Sequence, residues 1–237
     1  MTQTPPASEV VVSVRARTVA MLLALAIAAL TVASLTGQIL RFYFGHDYVF
    51  GLVSLFNVNR EANVPTWYAT ATLLGASLLL WLIARVSRAA GERDARYWLW
   101  LSLLFLYVSA DESMSLHEQL NVHLRPQTFL PGLLYFGWVV AGVAAVAVLG
   151  FLYARFLMRL APPVRRLFFL AAALFVGGAL GVEMLGARHV YHHGAENMEY
   201  ALIATLEEVM EMAGVAVFIY ALLGELGRRG LFCVRAG

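Results

Sequence analysis

The sequence contains no lysine, a single cysteine and few charged residues. All seventeen basic residues are arginine, and Asp, Glu, Lys and Arg together make up 14% of the 237 positions. With Cys233 alone, the chain cannot form a disulfide framework or a cysteine-based metal motif. The sequence shows no nucleotide-binding loop, no nucleic-acid-binding motif, no internal repeat and no low-complexity segment. The use of arginine without lysine indicates a GC-rich bacterial genome.

Apolar residues dominate what is present. They make up 61% of the chain and the mean hydropathy is +0.73, whereas a soluble domain is about half apolar. The composition predicts an all-α, polytopic protein of the bacterial inner membrane, with a disordered tail at 1–12 and one membrane domain at 13–230. A spanning helix needs about 20 apolar residues, and six segments qualify: 18–40, 66–84, 97–117, 130–154, 167–187 and 202–224.

Two segments near the N-terminus have further interpretations. An aromatic and polar segment at about 41–65 separates the first two spans, and its composition is typical of a short interfacial helix or a lid on the outer side. The first span also has an alternative interpretation. The sequence "RAR" before an apolar stretch that ends in "VAS" is compatible with a cleaved signal peptide.

The arginines predict how the chain is oriented. Thirteen of them lie at or beyond one set of span ends, and only Arg41, Arg60, Arg125 and Arg188 lie at the other. Because cytoplasmic loops carry an excess of arginine and lysine, both termini are expected in the cytoplasm. All six histidines and eleven of the fifteen acids then fall in the outer half. Acids contribute little to topology, so this second asymmetry suggests a site that faces the periplasm.

Three spans place acids at one depth. At 1.5 Å per residue, Glu112 lies roughly 24 Å from Arg96, and Glu183 and Glu211 lie roughly 25 Å from Arg166 and Arg228. The hydrocarbon layer is about 30 Å thick. The last span must also include "TLEEVMEM" to be long enough to cross. Because carboxylates at membrane depth are costly, they are expected to face the bundle interior and a partner.

Several carboxylates in one apolar pocket cannot all be ionised unless a cation neutralises them. A metal site is the first interpretation, because Glu, Asp and His suit Fe, Mn or Zn and helix bundles hold such ions with inward carboxylates. No Glu-x-x-His pair occurs in the chain, so the usual di-iron spacing is missing.

Two other interpretations remain open. Glutamates inside a membrane also mark proton or cation paths, although the cytoplasmic halves of the spans contain almost no ionisable residues. The third interpretation is structural: protonated acids would hydrogen-bond helices together in a non-enzymatic membrane subunit. Gly177 and Gly181, four residues apart, are expected to let the helix of Glu183 approach a neighbour closely.

Two resemblances add to this reading. Ser113 and His117 in "SMSLH", together with His189 and His193 in "HVYHH", loosely resemble the Ser-x3-His and His-x3-His motifs of alkaline-ceramidase-like membrane hydrolases, which implies a zinc hydrolase. On composition, His189, His192 and His193 are instead expected in a solvated loop before Gly194.

The second resemblance covers about residues 50–224. The segments "LFNVNREANVPTWY", "DESMSLHE", "GVEMLG" and "TLEEVMEMAG" resemble a group of uncharacterised bacterial multi-pass membrane proteins, which implies six spans and no particular activity. The polar loop in the first segment is predicted to cap the pocket from outside, with Arg60 paired to one of its acids. The residues assigned to this lid are Arg60, Glu61 and Asn63.

The sequence thus predicts a six-helix bundle with an acidic, outward-facing pocket. The pocket is expected to bind a divalent metal (Fe, Mn or Zn) for redox or hydrolytic chemistry on a small periplasmic or lipid-soluble ligand. The expected metal ligands are Glu112, His117, Glu183, Glu207 and Glu211. The expected supporting or alternate ligands are Asp111, Ser113, Glu118 and Glu208.

Overall fold

The structure is a computed structural model that describes residues 15–117, 119 and 132–229. The expected tail at 1–12 lies outside this range, as do Glu118 and Cys233. All regular structure in the described residues is helical. The α-helices are α1 (Ala16–Phe44), α2 (Leu52–Leu55), α3 (Val64–Ala89), α4 (Ala95–Met114), α5 (Trp138–Arg159), α6 (Pro162–Val176), α7 (Glu183–His193) and α8 (Met198–Arg228).

Five of these helical segments are long and apolar enough to cross a membrane: α1, α3, α5, the continuous segment Pro162–His193, and α8. The segment Pro162–His193 is continuous because a π-helical turn, Gly177–Val182, joins α6 to α7. The predicted third span is also a helix, α4, but it has 20 residues and does not join this set. Asp111 and Glu112 reduce the apolar character of its last turn.

Helix α8 packs against α1, α3 and α6 and forms the centre of the bundle. The main core lies toward one end of the bundle, where Leu80, Trp98, Phe156 and Leu222 are fully buried. Trp98 meets Phe156 edge-on at 4.9 Å between ring centroids, and this contact fixes α5 against α4. Phe105 stacks on Phe218 at 4.6 Å and joins α4 to α8. Large aromatic residues therefore join α4 to both α5 and α8.

Helices α3 and α4 run antiparallel and are joined by serine hydroxyls. The Ser77 hydroxyl donates to the Ser102 carbonyl at 2.8 Å, and the Ser102 hydroxyl donates back to the Ser77 carbonyl at 2.9 Å. Farther along, the Ser109 hydroxyl donates to the Thr70 carbonyl at 2.9 Å. Small hydroxylated residues permit this close, hydrogen-bonded contact where lipid or protein excludes water. The pairing places Glu112 at the same end of the bundle as the start of α3.

Three boundaries differ from the sequence expectation. The span predicted at 130–154 begins at Trp138, because Gly132 adopts φ +64° before a 3-10 turn and Gly137 precedes the helix. Helix α4 ends at Met114, since Ser115 is left-handed at φ +51°, so His117 does not continue the helix as expected. The histidines at 189, 192 and 193 lie in the last turns of α7, not in a loop.

The segment between α1 and α3 folds over the end of α1. It contains a 3-10 turn (Val49–Gly51) and the four-residue helix α2. The buried Ser34 hydroxyl accepts a hydrogen bond from the Val58 amide at 3.1 Å, and Gly37 allows the Val53 backbone to pack against α1. These contacts hold the loop at residues 57–63 above the bundle.

Candidate functional site

Glutamates from three helices and one loop lie together at the Glu112 end of the bundle. Glu211 on α8 is close enough to Glu112 on α4, Glu183 on α7 and Glu61 in the loop for their charges to act on it. Glu208 has the same three neighbours as well as Glu211. These residues, with Glu207 and Asp111, are called the carboxylate cluster below. Each of its members on a helix is only partly exposed.

Within this cluster, Glu183 and Glu207 are in direct contact. Their carboxyl groups are within hydrogen-bonding reach of each other. Two carboxyl groups can hydrogen-bond only when one of them carries a proton, because an ionised carboxylate has no donor. Both residues lie on segments able to cross a membrane, where ionised acids are expensive. Two neighbouring carboxylates repel each other when both are ionised, and a cation between them would offset that repulsion.

The approach of the Glu183 segment to α8 depends on Gly178 more than on the two glycines that the sequence suggested, although a Cβ at Gly177 would also lie 3.2 Å from Cε of Met210 on α8. A Cβ at Gly178 would lie 2.9 Å from the Glu207 carbonyl oxygen and 3.0 Å from Cγ of Glu211, so only glycine fits there. At Gly181, by contrast, a Cβ would meet nothing within 4 Å. Gly178 belongs to the π-helical turn that ends just before Glu183. Single π-turns inside α-helices are frequent at functional sites.

His117 reaches the cluster because the chain reverses after α4. Its ring Nδ1 is 2.9 Å from the Asp111 carboxylate, and its backbone amide donates to the same carboxylate at 3.0 Å. A carboxylate on Nδ1 favours the tautomer that carries its proton there, which leaves the lone pair on Nε2. Glu112 lies close enough to His117 and Asp111 to interact electrostatically with both. The pair thus forms one wall of the site.

Trp138, a residue that the sequence reading did not single out, connects this wall to Glu183. Its indole N–H donates to Glu183 Oε1 at 3.1 Å, and its ring lies 5.0 Å from the His117 ring. A tryptophan at the end of a span is ordinary in the interfacial aromatic belt, so its sequence position gave no specific signal. Its position is set by the tertiary contact of α5 with α7.

Of the three predicted lid residues, only Glu61 lies near the acids of the cluster. Glu61 lies near Glu112, Glu208 and Glu211. The Arg60 guanidinium instead donates to the Ser54 hydroxyl at 2.7 Å and not to one of these acids. Asn63 caps α3, since its Oδ1 accepts from the Thr66 amide at 3.1 Å, and its Nδ2 donates to the Asn57 carbonyl at 2.6 Å. The loop therefore adds an acid to the site.

The remaining sequence candidates lie elsewhere or outside the described residues. The Ser113 hydroxyl donates to the Ala110 carbonyl of its own helix at 3.0 Å. His189 contacts the Asn197 amide oxygen at 2.9 Å and stacks on His193 at 4.8 Å. Within residues 15–117, 119 and 132–229, no three His, Cys, Asp or Glu side chains converge closely enough to hold a metal ion. Glu118 is not among the described residues.

Helical segments able to cross a membrane, with a cluster of acids between them, define the class: a multi-pass α-helical membrane protein. The chain belongs to a protein family described as a domain of unknown function (DUF8692), whose sequence model matches residues 19–226. No curated protein and no solved structure matches the chain. The family match agrees with the resemblance to an uncharacterised group and assigns no activity.

Proposed function

We propose that the protein is a six-span protein of the bacterial inner membrane with both termini in the cytoplasm. The antiparallel pairing of α4 with α3 supports a sixth span, because a helix that follows a spanning neighbour along its length crosses the same layer. At the end rich in arginine, Arg229 after α8 contacts Glu92 between α3 and α4 at 2.9 Å. Arg159 at the end of α5 pairs with Asp94 there as well. The positive-inside bias assigns that end to the cytoplasm.

The proposed function is the binding of a divalent metal by the carboxylate cluster, on the outer side of the membrane. The observation that carries this proposal is that Glu208 and Glu211 each lie within range of the charges of Glu112, Glu183 and Glu61, while Glu207 lies beside Glu183. A cation would offset their repulsion, and carboxylates with one imidazole suit Fe, Mn or Zn.

The donor atoms of these residues suit such an ion, but the positions of their side chains do not surround a common point. The carboxylates and His117 supply hard oxygen donors and one nitrogen, as these metals require. Among the described residues, no three His, Cys, Asp or Glu side chains converge on one point. Binding would therefore have to draw the glutamate side chains together, which their three rotatable bonds permit. Glu112, His117, Glu183, Glu207 and Glu211 would hold the ion, and Asp111 would orient the His117 ring.

A bound metal would supply Lewis-acid or redox chemistry at this site. The apolar core of the bundle would exclude water from the side of the site that faces the arginine-rich end. A small periplasmic or lipid-soluble ligand would enter from the opposite side. Trp138 would hold Glu183 in place through its indole N–H. Asp111 would hold the proton of the His117 ring on Nδ1, which leaves the Nε2 lone pair for the ion.

Elemental analysis tests the metal proposal directly. Protein purified without chelators is expected to contain about one to two equivalents of Fe, Mn or Zn, and Glu211→Gln is expected to lose most of it because it removes a central carboxylate. Glu199→Gln is the matched control, since Glu199 lies on the same helix but its side chain is 80% exposed. Wild-type protein without stoichiometric metal would overturn the proposal.

Proton- or cation-coupled transport is the second candidate, and the contact between Glu183 and Glu207 favours it. A pair of carboxyls that shares a proton is a typical unit of intramembrane proton paths. This function predicts ion-coupled or pH-coupled flux in proteoliposomes that Glu207→Gln abolishes. A purely structural cluster predicts neither metal nor flux, and only a lower melting temperature in the glutamate variants.

A further inference from the structure

A second polar site lies at the same end of the bundle and shares the loop at residues 57–63 with the carboxylate cluster. It is a cavity of about 180 Å³ between the end of α1, the loop at 57–60 and the first turn of α8. Its lining is mostly polar and includes Gln38, Arg41, Asn57, Asn59, Arg60 and Tyr200. The metal proposal uses none of these residues.

Gln38 gives the first indication of a ligand. Its side chain is 3% exposed, and its Oε1 has no hydrogen-bond partner among the described residues. Leaving a buried amide oxygen without a donor destabilises the folded state. Buried polar atoms in native structures almost always have partners, so a missing one points to water or a ligand that completes the site. Gln38 thus requires a hydrogen-bond donor.

The charges around the cavity give the second indication. Arg41 pairs with Glu196, which is itself 78% exposed. Arg60 donates to the neutral hydroxyl of Ser54. Two arginines therefore face one carboxylate in the lining, which leaves one positive charge not balanced within the cavity wall. Arginine binds phosphate and carboxylate through parallel N–H groups, so the cavity favours an oxyanion.

The position of the cavity gives the third indication. Exposed aromatic side chains lie on the neighbouring part of the chain, at the end of α1 and in the turn that follows it: Tyr43 is 70% exposed, Tyr48 72% and Phe50 92%. Exposed tyrosine and phenylalanine at the end of a span are typical of the level of the lipid headgroups. A volume of 180 Å³ holds about six water molecules at about 30 Å³ each. The cavity therefore fits a headgroup-sized fragment.

We propose that this cavity binds a hydroxylated phosphate, with the chemistry of a glycerophosphate group. Arg60 and Arg41 would hold the phosphate oxygens, and a hydroxyl of the ligand would donate to Gln38 Oε1. The group could belong to the headgroup of phosphatidylglycerol or to free glycerol phosphate. Arg60 serves this site while its neighbour Glu61 serves the carboxylate cluster, so the two sites share a loop but bind opposite charges. The proposal does not rest on metal binding.

Two probes test the site on the full-length protein in nanodiscs. The first is sn-glycerol 3-phosphate, titrated calorimetrically into protein in phosphatidylcholine nanodiscs. The second is phosphatidylglycerol added to those nanodiscs, with the lipid retained on the protein counted by native mass spectrometry. Wild type is expected to bind at least one of them. Arg60→Gln and Gln38→Met are each expected to weaken binding by about tenfold or more, because one charge-assisted or buried hydrogen bond is lost.

Gln38→Met also separates a ligand role from a structural one. It replaces the unpartnered amide by an apolar side chain of similar size, so without ligand the variant is expected to melt no lower than wild type. Arg93→Gln, an exposed arginine in the loop between α3 and α4, controls for charge number and should bind normally. Binding of free glycerol phosphate alone, or of the lipid alone, supports the site and identifies the source. Failure of both probes, or unchanged affinity in Arg60→Gln and Gln38→Met, overturns it.

Discussion

At the residue scale, two glycines decide how closely the Glu183 helix and α8 approach. A Cβ at Gly178 would meet the Glu207 carbonyl, and one at Gly214 would lie 2.7 Å from the Phe175 amide nitrogen and 2.9 Å from the Ala171 carbonyl. These neighbours are backbone atoms and cannot rotate away. The two glycines therefore set the distance between the helices that carry Glu183, Glu207 and Glu211.

Alanine substitutions at Gly178 and Gly181 are expected to have opposite effects. Gly178→Ala should destabilise the protein by about 1–3 kcal/mol, because the new methyl group overpacks against the Glu207 carbonyl. Gly181→Ala should be neutral or stabilising by about 0.5 kcal/mol, because it has open space and reduces the entropy of the unfolded chain. Melting in detergent measures both. Equal effects would show that Gly178 does not set the helix contact.

The Asp111–His117 pair gives a second prediction at this scale, which depends on the metal proposal. Asp111→Asn should weaken metal binding by about 10–100-fold, because the amide no longer fixes the His117 ring and its tautomer. Ser113→Ala is the control, since the Ser113 hydroxyl bonds only within its own helix turn among the described residues. Metal titrations of the stripped proteins measure both. A larger loss in Ser113→Ala than in Asp111→Asn would favour the ceramidase-like arrangement instead.

At the scale of elements, Arg229 joins the ends of three helices. Its guanidinium donates to Glu225 on α8 at 2.8 Å, to Ser87 on α3 at 2.7 Å and to Glu92 before α4 at 2.9 Å. Glu225 is 7% exposed, so Arg229 reaches it inside the bundle. The arginine also lies over the Trp98 ring at 5.8 Å. One side chain thus locks the end of α8 to the α3–α4 pair.

Replacement of Arg229 is expected to loosen this end of the bundle. Arg229→Gln should destabilise the protein by about 3 kcal/mol, since it leaves the buried Glu225 carboxylate without its main partner. Arg228→Gln should cost less than about 1 kcal/mol, because the Arg228 side chain is 55% exposed and its pair with Glu225 is long at 3.7 Å. Equilibrium unfolding in mixed micelles compares them. Similar losses for both variants would contradict the assignment of a specific role to Arg229.

At the scale of the whole molecule, the number of crossings decides on which side the carboxylate cluster opens. Four helical segments, α4, α5, Pro162–His193 and α8, separate Arg93 from Cys233. If all four cross, both residues lie on the same side of the membrane. If α4 does not cross, they lie on opposite sides.

Cysteine labelling measures this parity, and the chain is suited to it because Cys233 is its only cysteine. A membrane-impermeant maleimide should label Tyr48→Cys, made in a Cys233→Ser background, in intact spheroplasts. Arg93→Cys in the same background and the native Cys233 should react only after permeabilisation. Labelling of Arg93→Cys and Cys233 from opposite sides would remove the sixth span, and labelling of both from outside would invert the proposed orientation.

The sequence by itself determined the helical class and the set of residues available to the site. Apolar runs of about 20 residues satisfy their own backbone hydrogen bonds only as helices in lipid, so the segments around 18–40, 66–84 and 202–224 are helices with small shifts at their ends. Depth along a helix follows from a fixed rise per residue. The same rise therefore puts Glu112, Glu183 and Glu211 at a common distance from the arginines at the other end of their helices.

Only the tertiary structure decided which of these residues meet, because contacts depend on helix rotation and on chain reversals that no periodicity encodes. The reversal after Met114 brings His117 back to Asp111, and the packing of α5 brings Trp138 to Glu183. Gly178, not Gly181, carries the close contact because the π-helical turn rotates the face that α7 presents to α8. Helix α4 carries Asp111 and Glu112 in its last turns, whereas the left-handed Ser115 decides where His117 lies.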